Sequence, residues 1–436
     1  MFYYYQLNFN TYNKKMEKLS EFDYLGMKIR GYNFTVPIDY TNLNSKKINI
    51  FAREISKNQM PSKDLPYLLF LQGGPGYESP RPLVYSGWLK RALEDYKVLL
   101  LDQRGTGLSS LINKQLFEEF NDQNIAEYLT HFRADNIVRD AEFIRMKLIN
   151  NEKWNLLGQS FGGFCAAHYL SYYSDSLDKV FITGGLPPIN AHPDDIYRST
   201  YKRAISKNEE FHKLFPDSVD RVDKIVKHLE KNIEYLPNGD VLTVDRFRQL
   251  GLILGFSDGM VSLKYLLENS FNNNKISYNF LKNIYSLQSF DTNPIFSILH
   301  EACYAQGFAT NWSAERIKKE FSHFGIKQKN KFYFTGEMIY PWMFDNYAEL
   351  KNLKGASHII AKKDDWPELY NAKNLKNINT RVVAAVYKND MYVDRNFSIE
   401  TSKYFSNIFV WETDKYEHNA LRSNGEEILD KLFAKI

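Results

Sequence analysis

Residues 154–164 read WNLLGQSFGGF, an apolar run that stops at Gly158 and passes through Gln159 and Ser160 to two further glycines. A serine hydroxyl is a weak nucleophile until it is held where a base can reach it. The pattern Gly158-Gln159-Ser160-Phe161-Gly162, set between a strand and a helix, does this with a sharp turn that forces a strained backbone at the serine. Small residues two before and two after keep the strand and the helix from clashing. The helix that follows also turns its N-terminal dipole and free amides toward negative charge developing beside the serine. Ser160 is therefore the candidate nucleophile, and the chemistry is acyl transfer.

Such a serine needs a base, an acid behind the base, and a second donor for the oxyanion. In this kind of site the chain order is serine, acid, histidine. Of the nine histidines, His131 and His168 precede or adjoin the turn, His358 lies before the last strands, and His418 follows the final apolar run in TDKYEHNALR. His418 is the candidate base. The preceding run, VVAAVYKNDMYVD, offers Asp390 and Asp394. Asp390 falls in the turn directly after the strand, where a carboxylate can orient an imidazole and stabilise its charged form; it is preferred over Asp394, which suits a cap or a solvated site. Gly73 and Gly74, in LLFLQGGPG, bring backbone N–H groups near the serine, with no side chain to block an approaching carbonyl oxygen.

These residues can meet only if a sheet carries them to one edge. GYNFTVPIDY and KKINIFAREI read as early strands, and LPYLLFLQGGPG, YKVLLLDQRGTG, WNLLGQSFGGF and LDKVFITGGLPP as buried strands ending in glycine-rich stops. IVRDAEFIRMKLI has apolar residues at helical spacing. Continuous apolar strands separated by helices imply a parallel sheet covered on both faces, with ligand chemistry at the carboxyl ends of its strands. After GGLPP, roughly residues 187–360 turn rich in Lys, Asn, Tyr and Phe, before strands resume at TRVVAAVYKND and NIFVWETDKY. The expected organisation is an α/β core over 1–186 and 361–436 with a mostly helical insertion over 187–360.

Composition narrows the class further. With 56 basic and 52 acidic residues and no dominant basic block, the chain lacks a nucleic-acid footprint. Cys165 and Cys303 are too few for a disulfide framework, so a reducing, cytoplasmic setting is expected, with Cys165 packing in the helix after the serine. The opening MFYYYQLNFNTYNKK does not read as a signal peptide, and no stretch reads as a membrane span. Neither metal-ligand spacing nor a nucleotide-binding fingerprint occurs, and no cofactor is expected.

LQGGPG, DQRGTGLSS, GQSFGGF, ITGGLPP, HEACYAQG, TGEMIYPWMF, YKNDMYVD and YEHNALR, spread over about residues 67–422, together resemble the proline iminopeptidase family (prolyl aminopeptidases) of α/β-hydrolases, in its longer form with a large helical cap. The resemblance implies the α/β-hydrolase fold: a mostly parallel central sheet flanked by helices, with the cap inserted. It implies Ser160, Asp390 and His418 as the catalytic set and the backbone amides of Gly74 and Phe161 as the oxyanion hole. Two cap glutamates hold the substrate amine in the family, and the best matches are Glu301 and Glu337, with Glu315 a weaker one. Tyr304, Tyr340, Trp342 and Phe344 suit either a pyrrolidine pocket or the cap core. Gln72 stands where the family usually has histidine, which bears on loop geometry and not on the chemistry. Asp102, Arg104 and Ser109 are expected to support the oxyanion loop through arginine–carboxylate pairing.

The expected function is a serine exopeptidase releasing N-terminal proline from peptides through a prolyl-enzyme, with no nucleic-acid or membrane partner and an oligomer possible. An esterase or small-amide hydrolase with the same catalytic set would ignore a blocked amine. A non-enzymatic binding protein of this fold would not react with a serine-directed fluorophosphonate.

Overall fold

Five consecutive apolar residues, Tyr67–Leu71, form a strand buried along its whole length, and the neighbouring strands repeat the pattern. The computed structural model describes residues 16–58, 65–118, 120–288, 290, 292–325 and 331–436; the opening fifteen residues, read above for a signal peptide, lie outside them. The central strands are β1 (Met16–Tyr24), β2 (Met27–Pro37), β3 (Lys47–Lys57), β4 (Tyr67–Leu71), β5 (Lys97–Asp102), β6 (Trp154–Gln159), β7 (Leu177–Thr183), β8 (Arg381–Tyr387) and β9 (Ile408–Thr413). Their order in the sheet is β1-β2-β3-β5-β4-β6-β7-β8-β9. The pairs from β1 to β5 through β2 and β3 are antiparallel, and those from β5 onward are parallel. This is the mostly parallel sheet of the α/β-hydrolase fold, as expected.

Burial on both faces explains why the parallel strands read as unbroken apolar runs. One face is covered by α1 (Gly87–Asp95) and α6 (Gly425–Phe433), whose Leu89, Leu93, Ile428, Leu429 and Leu432 pack with Leu68, Phe70 and Val383. The other face carries α2 (Ala134–Ile149) and α3 (Phe161–Tyr173). Among the described residues between β7 and β8, the regular elements are helices, including α4 (Pro193–Leu214) and α5 (Ser313–Lys318), and a two-stranded hairpin at residues 271–276. A single apolar cluster runs without a break from the sheet, through Leu69 and Leu156, into this segment at Phe247, Phe296 and Phe334. The helical segment is therefore packed on the core as part of it.

Arg104, Asp140 and Tyr40 fix how α2 meets the sheet. Arg104 donates from Nε and Nη2 to the two Asp140 oxygens at 2.8 and 2.7 Å, and Tyr40 donates its hydroxyl to Asp140 at 2.8 Å. Both members of the ion pair are buried.

Candidate functional site

Ser160 stands at the carboxyl end of β6 with φ 54° and ψ −124°, followed at once by α3. That backbone conformation costs a side-chain-bearing residue about 1–3 kcal/mol and persists only where its surroundings enforce it. They do so by close approach. A Cβ on Gly162 would collide with the Leu71 carbonyl, one on Gly158 would overlap the carbonyl of Gly162, and one on Gly73 would lie 2.9 Å from the Ser160 Cβ. The glycines thus let β4, the turn and α3 close up around the serine.

His418 enters from the loop after β9, and its Nε2 lies 2.9 Å from the Ser160 Oγ. Its Nδ1 lies 2.7 Å from Asp390 Oδ2. A carboxylate only accepts, so Nδ1 carries the proton and Nε2 is left to accept from the serine hydroxyl. Asp390 is itself fixed, because its Oδ1 accepts from the Tyr392 and Val393 N–H groups at 2.8 and 3.0 Å. The Tyr392 ring lies over the imidazole, centroids 4.5 Å apart. Burial alone would depress the proton affinity of His418, but the adjoining Asp390 carboxylate more than offsets it and raises the imidazole above its ordinary value. Asp394 instead caps the helix that follows, accepting from the Asn396 N–H at 2.8 Å.

Above the serine lies a narrow, partly open cavity of about 10 Å³. Gly74, Pro75, Phe161 and Phe164 line it from the core side, together with Val393, and His300, Cys303, Tyr304 and Glu337 from the cap. Phe161 begins α3, where backbone N–H groups have no intrahelical acceptor. Burial pushes the Glu337 carboxyl up to about 7, the nearby His418 pulling the other way. His300 Nε2 lies 4.0 Å from Glu337, and burial lowers that imidazole to about 4, so it is neutral at physiological pH.

The structure thus brings Ser160, Asp390, His418, Gly74, Phe161 and Glu337 to one place, while Glu301 is used differently. Its two carboxylate oxygens accept from the backbone N–H groups of Ser313 and Ala314, at 3.1 and 2.9 Å, at the start of α5. It does not line the cavity. Glu315, on α5, does not line it either. Of the aromatics, Tyr304 reaches the cavity, whereas Tyr340 bonds the Tyr201 hydroxyl and Phe344 packs on Trp312. The sequence reading did not place His300 or Cys303 at the site, although both stand in the HEACYAQG segment that drew attention to Glu301.

Asp102 supports the segment after Gly74: it accepts from Arg81 at 2.7 and 2.6 Å and from the Ser79 N–H at 3.2 Å. Ser109 braces the same turn by donating to the Asp102 carbonyl at 2.6 Å. Arg104 turns the other way, toward Asp140 of α2. The arginine–carboxylate pair beside the Gly73–Gly74 segment is therefore Arg81–Asp102, and Arg104 serves the helix layer.

The family model of the alpha/beta hydrolase fold matches residues 66–214, which span β4 to α4 and include the serine turn. The chain is an α/β-hydrolase-fold protein. It is 46% identical to a proline iminopeptidase of Aeromonas sobria over 93% of this chain and 96% of that one. It is also 35% identical to a proline iminopeptidase of Aspergillus aculeatus over 92% of each. The chain belongs to the proline iminopeptidase family. Among the described residues, no helix is long and apolar enough to cross a membrane.

Proposed function

We propose that this protein is a serine exopeptidase that removes N-terminal proline from peptides, with Ser160 as nucleophile, His418 as general base and acid, and Asp390 as its orienting partner. The observation that carries the reading is the continuous Asp390–His418–Ser160 chain of contacts, at 2.7 and 2.9 Å, opening into a cavity that holds the Glu337 carboxylate. Both relatives described above bear the name of this activity.

In this mechanism His418 Nε2 takes the Ser160 proton as Oγ attacks the carbonyl of the first residue. Negative charge moves onto that oxygen, where the Gly74 and Phe161 N–H groups donate to it. One such donor is worth about 2.7–4 kcal/mol of transition-state stabilisation. His418 then protonates the departing amine, leaving a prolyl ester on Ser160. A water that gives its proton to His418 releases proline and restores the serine. No cofactor takes part.

Selection of a free N-terminus follows from the cavity. The pyrrolidinium of an N-terminal proline brings positive charge and two N–H donors into a desolvated space, which requires a carboxylate. Glu337 would meet the amine directly, and Glu301 would act at longer range through the negative potential it adds. The helical cap, taken as residues 187–360, closes the cavity over the amine and leaves the rest of the peptide outside.

The test compares hydrolysis of a prolyl arylamide with its N-acetylated form and with alanyl and leucyl arylamides. The proposal expects the prolyl compound to be fastest and acetylation to abolish turnover. Equal rates with and without the acetyl group would remove the aminopeptidase reading and favour an esterase or amidase of broad scope.

A further inference from the structure

The residues on either side of His418 are both held by the cap. Glu417 Oε1 accepts from the Lys207 Nζ at 2.5 Å, and Asn419 Oδ1 accepts from the Ser257 N–H at 2.9 Å. The loop that carries Asp390 is gripped from the same side. Arg203 donates to the Lys388 carbonyl at 3.2 Å, and Ser199 donates to Asp394 at 2.7 Å. Ser199, Arg203 and Lys207 follow at four-residue intervals in α4 and so share one face of it.

Lys207 is only 3% exposed, which is rare for lysine. Its other carboxylate neighbour, Glu210, is exposed and 3.7 Å away. Burial raises the proton affinity of the Glu417 carboxyl, which the Lys207 ammonium opposes. Desolvating such a pair offsets most of its attraction, so stability is a poor reason to retain it; fixing one geometry is a better one. Here the geometry at stake belongs to the next residue along the chain.

We propose that Lys207 is a positioning residue for His418: through Glu417, and with Ser257 holding Asn419 on the other side, the seated cap sets the imidazole in line between Ser160 and Asp390. The inference rests on the catalytic reading of those three residues. Catalytic alignment and cap closure are then one event, and a core with its cap displaced has an unaligned histidine. An error of about 1 Å in a reacting group costs roughly 100-fold in rate.

The experiment measures the rate at which a fluorophosphonate labels Ser160, together with kcat and KM for a prolyl arylamide, in the full chain. The variants are Lys207→Met, Lys207→Arg, Asn419→Ala and the double Lys207→Met/Glu417→Leu, which leaves no stranded charge to unfold the protein. Labelling and kcat should fall together by roughly tenfold or more in Lys207→Met and in the double variant, with KM within about twofold of native. Asn419→Ala should show the same split to a smaller degree, and Lys207→Arg should recover most of the rate. A purely structural role would let the double variant regain activity along with thermal stability. A folded double variant, or a folded Asn419→Ala, that labels and turns over at the native rate would overturn the proposal. Native protein that fails to label would instead remove the catalytic reading of Ser160, and this proposal with it.

Discussion

Glu301 and Glu337 are both carried by the cap and both drawn into its interior, yet they are engaged in opposite ways. Glu301 accepts two backbone N–H groups at the start of α5, whereas Glu337 faces the cavity above Ser160. The same substitution at the two positions should therefore have opposite consequences for stability.

At Glu337 the sign follows from proton affinity. The group titrates at about 7 in the folded chain against an ordinary 4.5, so burial penalises its charged form. Below 4.5 the carboxyl is protonated folded or unfolded and no penalty exists; above about 7 the penalty is complete. Glu337→Gln should be more stable than native at about pH 8 by roughly 1 kcal/mol or more, with the difference closing toward acid. Thermal unfolding across pH checks this. The same variant should lose about 100-fold in kcat/KM for prolyl arylamide, since the substrate's cation then lacks its partner.

At Glu301 both oxygens are acceptors, and glutamine would turn an NH2 group toward a backbone N–H. Glu301→Gln should lower stability by about 1–3 kcal/mol, read from the denaturant midpoint. A variant as stable as native would contradict the role of this carboxylate at the start of α5.

The pH profile should carry the same two groups. His418 must be neutral to accept the serine proton, and its affinity is raised above the ordinary histidine value. In the proposed mechanism Glu337 is ionised to receive the amine. Both requirements fail on the acid side, so log kcat/KM should fall with a slope approaching about two below roughly pH 6. Glu337→Gln should reduce that slope to about one. The alkaline limb should follow the substrate amine, near about 8. An acid limb of slope one in the native protein would mean that only one of these protons controls the reaction.

Arg104 and Asp140 form a buried pair that does not line the cavity, and Arg104→Met would leave the Asp140 carboxylate uncompensated. The loss should be about 3–5 kcal/mol in denaturant unfolding, with kcat of the remaining folded protein little changed.

The serine turn was legible because everything that makes it lies within a few residues along the chain: Gly158 and Gly162 are needed where β6 gives way to α3. Asp390 and His418 were legible because each follows a recognisable apolar strand. What Glu301 accepts from was not legible, since α5 begins twelve residues later and only folding brings its N–H groups to the carboxylate. The sequence pairs Arg104 with the oxyanion loop because it stands two residues from Asp102; Arg104 lies past the end of β5, in the turn, where it meets Asp140 of α2, and Arg81 reaches Asp102 instead. His300 is one residue from Glu301, but which of the two faces the cavity depends on the pitch of a short helical turn. Lys207 gave no local signal, because its significance comes from Glu417, 210 residues away.

The most direct measurement is turnover of prolyl arylamide by a folded Ser160→Ala variant. If the hydroxyl 2.9 Å from His418 Nε2 is the nucleophile, kcat should fall by roughly 10⁶-fold while thermal stability stays near native. Undiminished hydrolysis by that variant would mean that the reaction proceeds through some other group.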